Sequence, residues 1–264
     1  MIIKEQFIMG KAPDQELCED SLFISNDFIA VLDGVTAKSK RSFNNMSGGK
    51  AATEVAISIL KDTPADIDKT TLFQTINEGI ASLYDGEATG EAAVCIVVFS
   101  SYHKELWVVG DCQCIINGDN HTHEKLIDKE LSEIRSGIIK EALKNGATLE
   151  DIAKNDIGRQ AIMPRLKEQP QYANRTDLPY GYPVLNGTSL AKENIVTYIL
   201  HEGDTVIMAT DGYPRLYDTL EESEAYLRYI LQTDPLCYSE YKSTKGLQKG
   251  NLSFDDRAYV KFSV

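Results

Sequence analysis

Acidic residues repeatedly follow short apolar stretches of this sequence. Residues 28–32 are all apolar and lead into Asp33-Gly34, residues 206–209 lead towards Asp211-Gly212, and residues 107–109 lead towards Asp111. A carboxylate at the end of a buried strand is held rigidly at the edge of the core, and a following glycine allows a sharp turn or a close approach. One Asp-Gly pair is an ordinary turn signal, but the repetition indicates a shared site.

Further acids lie beside other expected strands, and together they suggest metal chemistry. The set is Glu19, Asp20, Asp33, Asp111, Asp211, Asp255 and Asp256. Carboxylates that converge repel one another, so a fold that gathers them needs cations. Oxygen ligands without His or Cys suit Mg²⁺ or Mn²⁺, and two such ions about 3.5–4 Å apart can activate a bridging water and clamp a phosphoryl group. The alternative is that these acids are separate turn and cap residues that never meet.

Short strands and amphipathic helices must position these acids. Apolar runs predict strands at residues 2–9, 22–25, 28–32, 92–99, 105–109, 112–116, 195–200, 205–209 and 258–264. Helical periodicity predicts helices from residue 48 and at residues 70–84, 126–145, 149–154, 158–166 and 220–231. The strands at 22–25 and 28–32 should form a hairpin, and those within 92–116 an antiparallel meander. Residues 164–186, with four prolines, predict an irregular excursion.

This arrangement predicts an α+β layered sandwich, because antiparallel strand groups alternate with helices. Neither a repeat nor a linker is visible, so residues 1–264 should form a single domain. Five scattered cysteines, Cys18, Cys95, Cys112, Cys114 and Cys237, do not make a disulfide framework and are predicted to be packing residues.

Composition limits the partners. The net charge of −13 argues against nucleic acid as the main partner, although bound cations would still permit a phosphorylated substrate. The first residues lack the apolar segment of a signal peptide, and the longest apolar run, residues 92–99, is too short to span a bilayer. We therefore expect a cytoplasmic protein without a membrane partner. The sequence does not predict an oligomeric state.

The order of seven short motifs points to a family. They are Cys-Glu-Asp-Ser (18–21), Ala-Val-Leu-Asp-Gly-Val (30–35), Gly-Gly-Lys-Ala-Ala (48–52), Gly-Glu-Ala-Ala-Val (90–94), Val-Val-Gly-Asp-Cys (108–112), Met-Ala-Thr-Asp-Gly (208–212) and Ser-Phe-Asp-Asp-Arg (253–257). In this order the chain resembles the metal-dependent PPM-type, or type 2C, serine/threonine protein phosphatases. The resemblance is weakest between about residues 117 and 205.

The resemblance implies a four-layer α/β/β/α sandwich of two antiparallel sheets flanked by helices. It implies that Asp33 bridges two Mg²⁺ or Mn²⁺ ions, with the Gly34 carbonyl on one ion and Asp211 and Asp255 on the other. Glu19 and Asp20 match an acidic pair that mainly holds metal-bound waters. Asp111 matches a residue that helps to bind a third, weaker ion. Asp20, Asp33, Asp211 and Asp255 would then support the attack of metal-activated water on phosphoserine or phosphothreonine of a phosphorylated protein.

The sequence also departs from the family pattern. Gln15 occupies the position of an arginine that grips phosphate, and a neutral amide cannot form the same charge-assisted fork. Val35 replaces a histidine that serves some members as a proton donor. Lys11, Lys38, Lys40 and Arg41 are candidate substitutes for the arginine, but each is expected to be a surface charge.

Two alternative functions remain at this stage: a catalytically weak or inactive binding or regulatory module, and a phosphatase of a small phosphorylated metabolite.

Two other local motifs are weaker candidates for a functional site than the acidic set. His121-Thr122-His123-Glu124 contains metal-binding residue types but is expected to be a surface loop. Residues 181–187, flanked by Tyr180 and containing Tyr182, suggest a flap over the cleft or simple aromatic packing.

Overall fold

The computed structural model describes residues 1–36, 41–88 and 90–264, and two five-stranded antiparallel sheets form its centre. The first sheet contains, in spatial order, β1 (Ile2–Met9), β10 (Arg257–Ser263), β9 (Thr205–Ala209), β6 (Gln113–Ile116) and β7 (Asp119–His121). The second contains β2 (Ser21–Ile24), β3 (Phe28–Gly34), β4 (Val94–Ser100), β5 (Glu105–Val109) and β8 (Val196–Ile199). Lys38 and Lys40, the candidate phosphate-binding lysines, lie outside the described residues.

The described residues also form six α-helices. They are α1 (Gly48–Asp62), α2 (Lys69–Ala81), α3 (Leu126–Lys144), α4 (Leu149–Lys154), α5 (Ile157–Glu168) and α6 (Leu220–Thr233). The expected start of α1 is confirmed, because the Ser47 hydroxyl caps it by accepting a hydrogen bond from the Lys50 amide at 3.3 Å. Helices α1 and α2 cover the second sheet, and α6 packs beside β1 on the first.

The apolar run of β3 is buried on both faces. Ile29 and Val31 pack into the core between the sheets, whereas Ala30 and Leu32 pack against the α1 and α2 layer. A strand covered on both faces reads as a continuous hydrophobic run, and this explains why the sequence shows no alternation there. The predicted α+β sandwich of two antiparallel sheets with flanking helices is confirmed.

The predicted meander across residues 92–116 is wrong in its last strand. β4 and β5 pair as expected, but β6 leaves β5 and pairs with β9 and β7 in the first sheet. The crossing occurs at Gly110, whose φ of +99° favours glycine. Cys112 and Cys114 are thereby buried between the sheets, as their expected packing role requires. β8 takes the place beside β5.

The excursion that was expected to begin at Pro164 begins later. Helix α5 continues through Pro164 to Glu168, although this proline lacks the N–H donor of a helical hydrogen bond. The hairpin of β2 and β3 is confirmed, with Ser21 opposite Leu32. No helix in the described ranges combines the length and the apolar character needed to cross a membrane.

Candidate active site

The predicted acids lie at one end of the two sheets because of strand register. Ser21 pairs with Leu32, so Asp20 at the start of β2 lies beside Asp33 at the end of β3. In the other sheet, the amide of Thr210 after β9 donates to the carbonyl of Ala258 near the start of β10 at 3.1 Å. This hydrogen bond places Asp211 next to the segment that carries Asp255.

The glycines after two of the aspartates allow backbones to pack in direct contact. A Cβ atom on Gly34 would lie 2.4 Å from the Glu19 carbonyl oxygen, and one on Gly212 would lie 2.0 Å from the Asp256 carbonyl oxygen. Neither glycine has a positive φ. The Asp-Gly motifs are therefore points of close approach that join the acidic segments rather than tight turns.

Burial and neighbouring carboxylates raise the pKa of three aspartates at this end of the sheets. Burial, followed by repulsion from Asp211 and Asp20, holds the pKa of Asp33 well above its usual range. Burial and the other carboxylates, Asp256 first, do the same for the pKa of Asp20, despite a hydrogen bond from Thr210. Burial and Asp255 raise the pKa of Asp211 to about 7. These shifts arise from negative charge concentrated at low dielectric.

Glu19 is fixed by several donors. Its carboxylate accepts hydrogen bonds from the Ser47 hydroxyl at 2.6 Å and the Thr36 hydroxyl at 2.6 Å, and its backbone carbonyl accepts from Thr53 at 2.9 Å. Glu19 is 5% exposed, and its oxygens are already engaged. These hydrogen bonds connect the residues just before β2 to the N-terminal part of α1.

The prediction that Lys11 is a surface charge is wrong. Its ammonium group lies 2.9 Å from Asp256 Oδ2 and 3.3 Å from both Glu19 Oε2 and Asp255 Oδ1. Burial alone would lower the pKa of Lys11, but the carboxylates outweigh burial and raise it. The cause is register: β1 pairs Met9 with Arg257, so the residues after β1 meet those before β10. Pairing between the two ends of a chain cannot be read from local sequence.

Two further lysines enter the acidic cluster, and the sequence analysis missed both. Lys245 Nζ lies 2.5 Å from Asp255 Oδ2, and Lys125 Nζ lies 2.9 Å from Asp111 Oδ2. Burial would raise the pKa of Asp255 and Asp111, but these lysines lower both values. Lysines with no motif around them gave no signal in the sequence.

The donor set suits a divalent cation. Seven carboxylates and three lysines leave a formal charge of about −4 in this region if every group is ionised. Asp20 Oδ2 is buried and accepts no hydrogen bond from the described residues. In the described ranges, however, no three His, Cys, Asp or Glu side chains are already arranged as a metal site. The chemistry therefore fits Mg²⁺ or Mn²⁺, and binding would require the carboxylates to move closer together.

A cleft of about 790 Å³ opens beside these acids. Asp33, Gly34, Asp111, Asp211 and Asp255 line it from the ends of the sheets. Residues of α3 and α5, Tyr182 and residues 241–245 contribute to the remaining wall. The part of the chain where the family resemblance is weakest therefore forms much of the cleft wall.

His123 and Arg41, which could replace the missing family residues, are engaged in other contacts. The expected loop follows β7, and within it His123 lines the cleft; its two ring nitrogens contact the Cys112 carbonyl at 3.1 Å and the Tyr198 hydroxyl at 3.0 Å. Burial lowers the pKa of His123, so it is a poor replacement for the proton donor absent at Val35. Arg41 pairs with Glu91 at 3.3 Å.

The chain resembles several solved phosphatase structures. A bacterial serine phosphatase carrying a mutation matches with a TM-score of 0.50 and 11% identity over 98% of this chain and 97% of its own. The PPM Ser-Thr phosphatase MsPP from Mycobacterium smegmatis matches with a TM-score of 0.47 and 13% identity over 100% of both chains. The PstP catalytic domain in complex with two manganese ions matches with a TM-score of 0.48 and 11% identity, covering 99% of this chain and 98% of its own.

The match at a TM-score of 0.50 shows that this chain has the two-sheet fold of a solved bacterial serine phosphatase, in agreement with the fold that its motifs imply. No protein-family model and no curated protein matches the sequence.

Proposed function

We propose that this protein is a Mg²⁺- or Mn²⁺-dependent phosphomonoesterase that dephosphorylates phosphoserine or phosphothreonine in proteins. The observation that carries the proposal is the gathering of Asp33, Asp211 and Asp255 around one cleft, where burial and repulsion between carboxylates raise the pKa of Asp33 and Asp211. Carboxylates concentrated in this way without His or Cys ligands favour hard divalent cations.

Asp33 and the Gly34 carbonyl would hold one ion, and Asp33, Asp211 and Asp255 the other. When bound, the ions would supply Lewis acidity towards a phosphoryl oxygen and lower the pKa of a water molecule. The protein contributes position: the buried residues of β3 anchor the strand that carries Asp33, while Thr210 donates a hydrogen bond to Asp20. Lys11 ties the segments that carry Glu19 and Asp255 to each other.

We propose two ions rather than three. Asp111 would contribute to a third site, but Lys125 already neutralises it at 2.9 Å, and both side chains are largely buried. An ammonium group can take the electrostatic place of a weakly held cation. Asp111 then orders the cleft wall through Lys125 instead of binding metal.

The test is hydrolysis of p-nitrophenyl phosphate with and without Mn²⁺, by the wild type, Asp33→Asn and Asp119→Asn. Asp119 is an exposed aspartate of β7 and serves as the matched control. We expect Mn²⁺-dependent turnover that falls roughly 100-fold or more in Asp33→Asn, because even outer-shell changes commonly cost 10- to 100-fold. Asp119→Asn should match the wild type.

Other outcomes identify the alternatives. Metal binding by calorimetry without turnover on any phosphoester would indicate a binding or regulatory module. Faster turnover of small phosphorylated metabolites than of phosphopeptides would indicate a metabolite phosphatase. Activity that does not depend on a divalent metal would contradict the proposal.

A further inference from the structure

Gln15, at the expected phosphate-binding position, is held by hydrogen bonds to nearby residues of its own loop. The Gln15 Oε1 atom accepts a hydrogen bond from the Gly10 amide at 2.7 Å, and Nε2 donates to the Ala12 carbonyl at 2.6 Å. Gln15 is not among the residues that line the cleft. Gln15 is neutral and lies outside the cleft lining, so a phosphate bound in the cleft needs a cationic group from another part of the chain.

Arg159 lines the same cleft as Asp33, Asp211 and Asp255, although it lies in the region of weakest family resemblance. Its neighbour Gly158 packs directly on α3, where a Cβ atom would lie 2.9 Å from the Arg135 carbonyl oxygen. The Asp156 carboxylate caps α5 by accepting from the Arg159 amide at 2.7 Å. These contacts fix the backbone that carries the Arg159 side chain.

The Arg159 guanidinium retains donors that a phosphate could use. Nη1 donates to the Thr244 carbonyl at 2.7 Å, and this is its one side-chain hydrogen bond within the described part of the chain. A guanidinium has five N–H donors. Arg159 is half-buried, so its remaining donors are restricted in direction rather than freely mobile in water.

The Arg159 guanidinium is partly desolvated and lies near charges of both signs. Burial, followed by the nearby positive charge of Arg135, lowers the pKa of Arg159, while the carboxylates of Asp156, Asp128 and Asp255 oppose that change. A phosphate dianion that accepted its remaining N–H donors would form charge-assisted hydrogen bonds with it.

The other cations that line the cleft are weaker candidates. Lys125, Lys242 and Lys245 each form an ion pair, with Asp111, Glu133 and Asp255 respectively. Lys167 is exposed, and an ammonium group cannot form the two parallel hydrogen bonds that a guanidinium offers. Arg159 is the one arginine among the described residues that line the cleft.

We propose that Arg159 is the phosphate-binding residue of this site and replaces the arginine that Gln15 has displaced. This proposal rests on the proposed function. It assigns phosphate binding to α5, which lies outside the seven motifs. Arg159 would orient a phosphomonoester beside the carboxylates, with Thr244 holding the guanidinium in place.

The experiment compares Arg159→Gln, Arg159→Lys and the control Arg165→Gln in the full chain loaded with Mn²⁺. Arg165 lies on the same helix but pairs with Glu130 and does not line the cleft. Calorimetry measures the Kd of inorganic phosphate and of Mn²⁺, and kinetics measures KM and kcat. Thermal unfolding confirms that each variant is folded.

We expect Arg159→Gln to raise the phosphate Kd and the substrate KM roughly 10- to 100-fold, the range for loss of hydrogen bonds to a charged group. The Mn²⁺ Kd should stay the same. Arg159→Lys should fall between the wild type and Arg159→Gln, and Arg165→Gln should behave as the wild type.

An unchanged phosphate Kd in Arg159→Gln, an equal loss in Arg165→Gln, or no phosphate binding by the wild type would overturn the assignment. A wild type that binds phosphate without turnover would contradict the proposed function. The phosphate Kd values would still decide the role of Arg159.

Discussion

At the scale of single residues, the proposed metal site places protons, lysines and metal ions in competition for the same carboxylates. Asp20, Asp33 and Asp211 have raised pKa values because they are buried together, whereas lysines lower the pKa of Asp111 and Asp255. A cation that binds the first group must displace protons, and one that binds Asp255 must displace Lys245 and Lys11.

Proton competition predicts a pH-dependent effect of Mn²⁺ on stability. The pKa of Asp211 rises from 3.8 to about 7 in the metal-free fold, so protonation stabilises that fold at low pH. This contribution is lost as the pH rises through about 7. Mn²⁺ should therefore increase Tm more at about pH 8 than at about pH 6, because its ligands are then deprotonated. Thermal unfolding measures this, and an increase independent of pH would argue against Asp211 as a ligand.

Competition by lysine predicts that Lys245→Met tightens Mn²⁺ binding. Lys245 holds Asp255 Oδ2 at 2.5 Å, and its removal frees that oxygen and makes the cluster more negative. The Mn²⁺ Kd from calorimetry should fall roughly 10-fold, since one such interaction is worth about 1.4 kcal/mol or more. Lys242→Met is the control, because Lys242 pairs with the distant Glu133. Unchanged or weaker Mn²⁺ binding in Lys245→Met would show that Asp255 is not a ligand.

At the scale of elements, the site depends on close backbone contacts between strands and helices. Gly34 at the end of β3 touches both the Glu19 carbonyl and Gly49 in the first turn of α1. The sequence indicated that glycine there permits a turn or a close approach, and the structure shows the latter. The identity of the approaching segments could not be predicted, because it depends on long-range packing.

This contact predicts that Gly34→Ala is destabilising. The new Cβ atom would lie 2.4 Å from a backbone oxygen that cannot rotate away, so the loss should be about 3 kcal/mol. Gly137→Ala in α3 is the control: nothing lies within 4 Å of its added Cβ, and it should stabilise the protein by about 0.5–1 kcal/mol. Urea unfolding measures both changes. Equal effects of the two substitutions would exclude the packing role of Gly34.

Elements with strong local patterns were predicted well from the sequence. The β2–β3 hairpin, α1, α2 and the long α3 follow apolar periodicity, capping and turn residues that act over a few positions. The transfer of β6 to the first sheet was not predictable, because short linkers favour a meander and only the competition of β8 for the edge of β5 excludes it.

At the scale of the whole molecule, the two ends of the chain complete one site. β1 and β10 pair along their length, and this pairing brings Lys11 to Asp255 and Asp256. The motifs predicted which acids would gather at one end of the sheets, but only the tertiary structure shows that Lys11, Lys125, Lys245 and Arg159 lie near them. Charged residues without a surrounding pattern carry no local signal of such a position.

The same pairing supports a single domain, which we propose for residues 1–264. Strands from the beginning, middle and end of the chain share the core between the sheets. Far- and near-ultraviolet circular dichroism should therefore report one coincident unfolding transition. Two separated transitions would indicate independent domains.

The most direct measurement is a crystal structure of the protein with Mn²⁺, with the ions located by anomalous scattering. The account predicts two ions among Asp33, the Gly34 carbonyl, Asp211 and Asp255, with Lys245 displaced and Lys125 still paired with Asp111. Manganese absent from these carboxylates at saturating concentration, with Lys11 and Lys245 still bound to Asp255, would contradict the account.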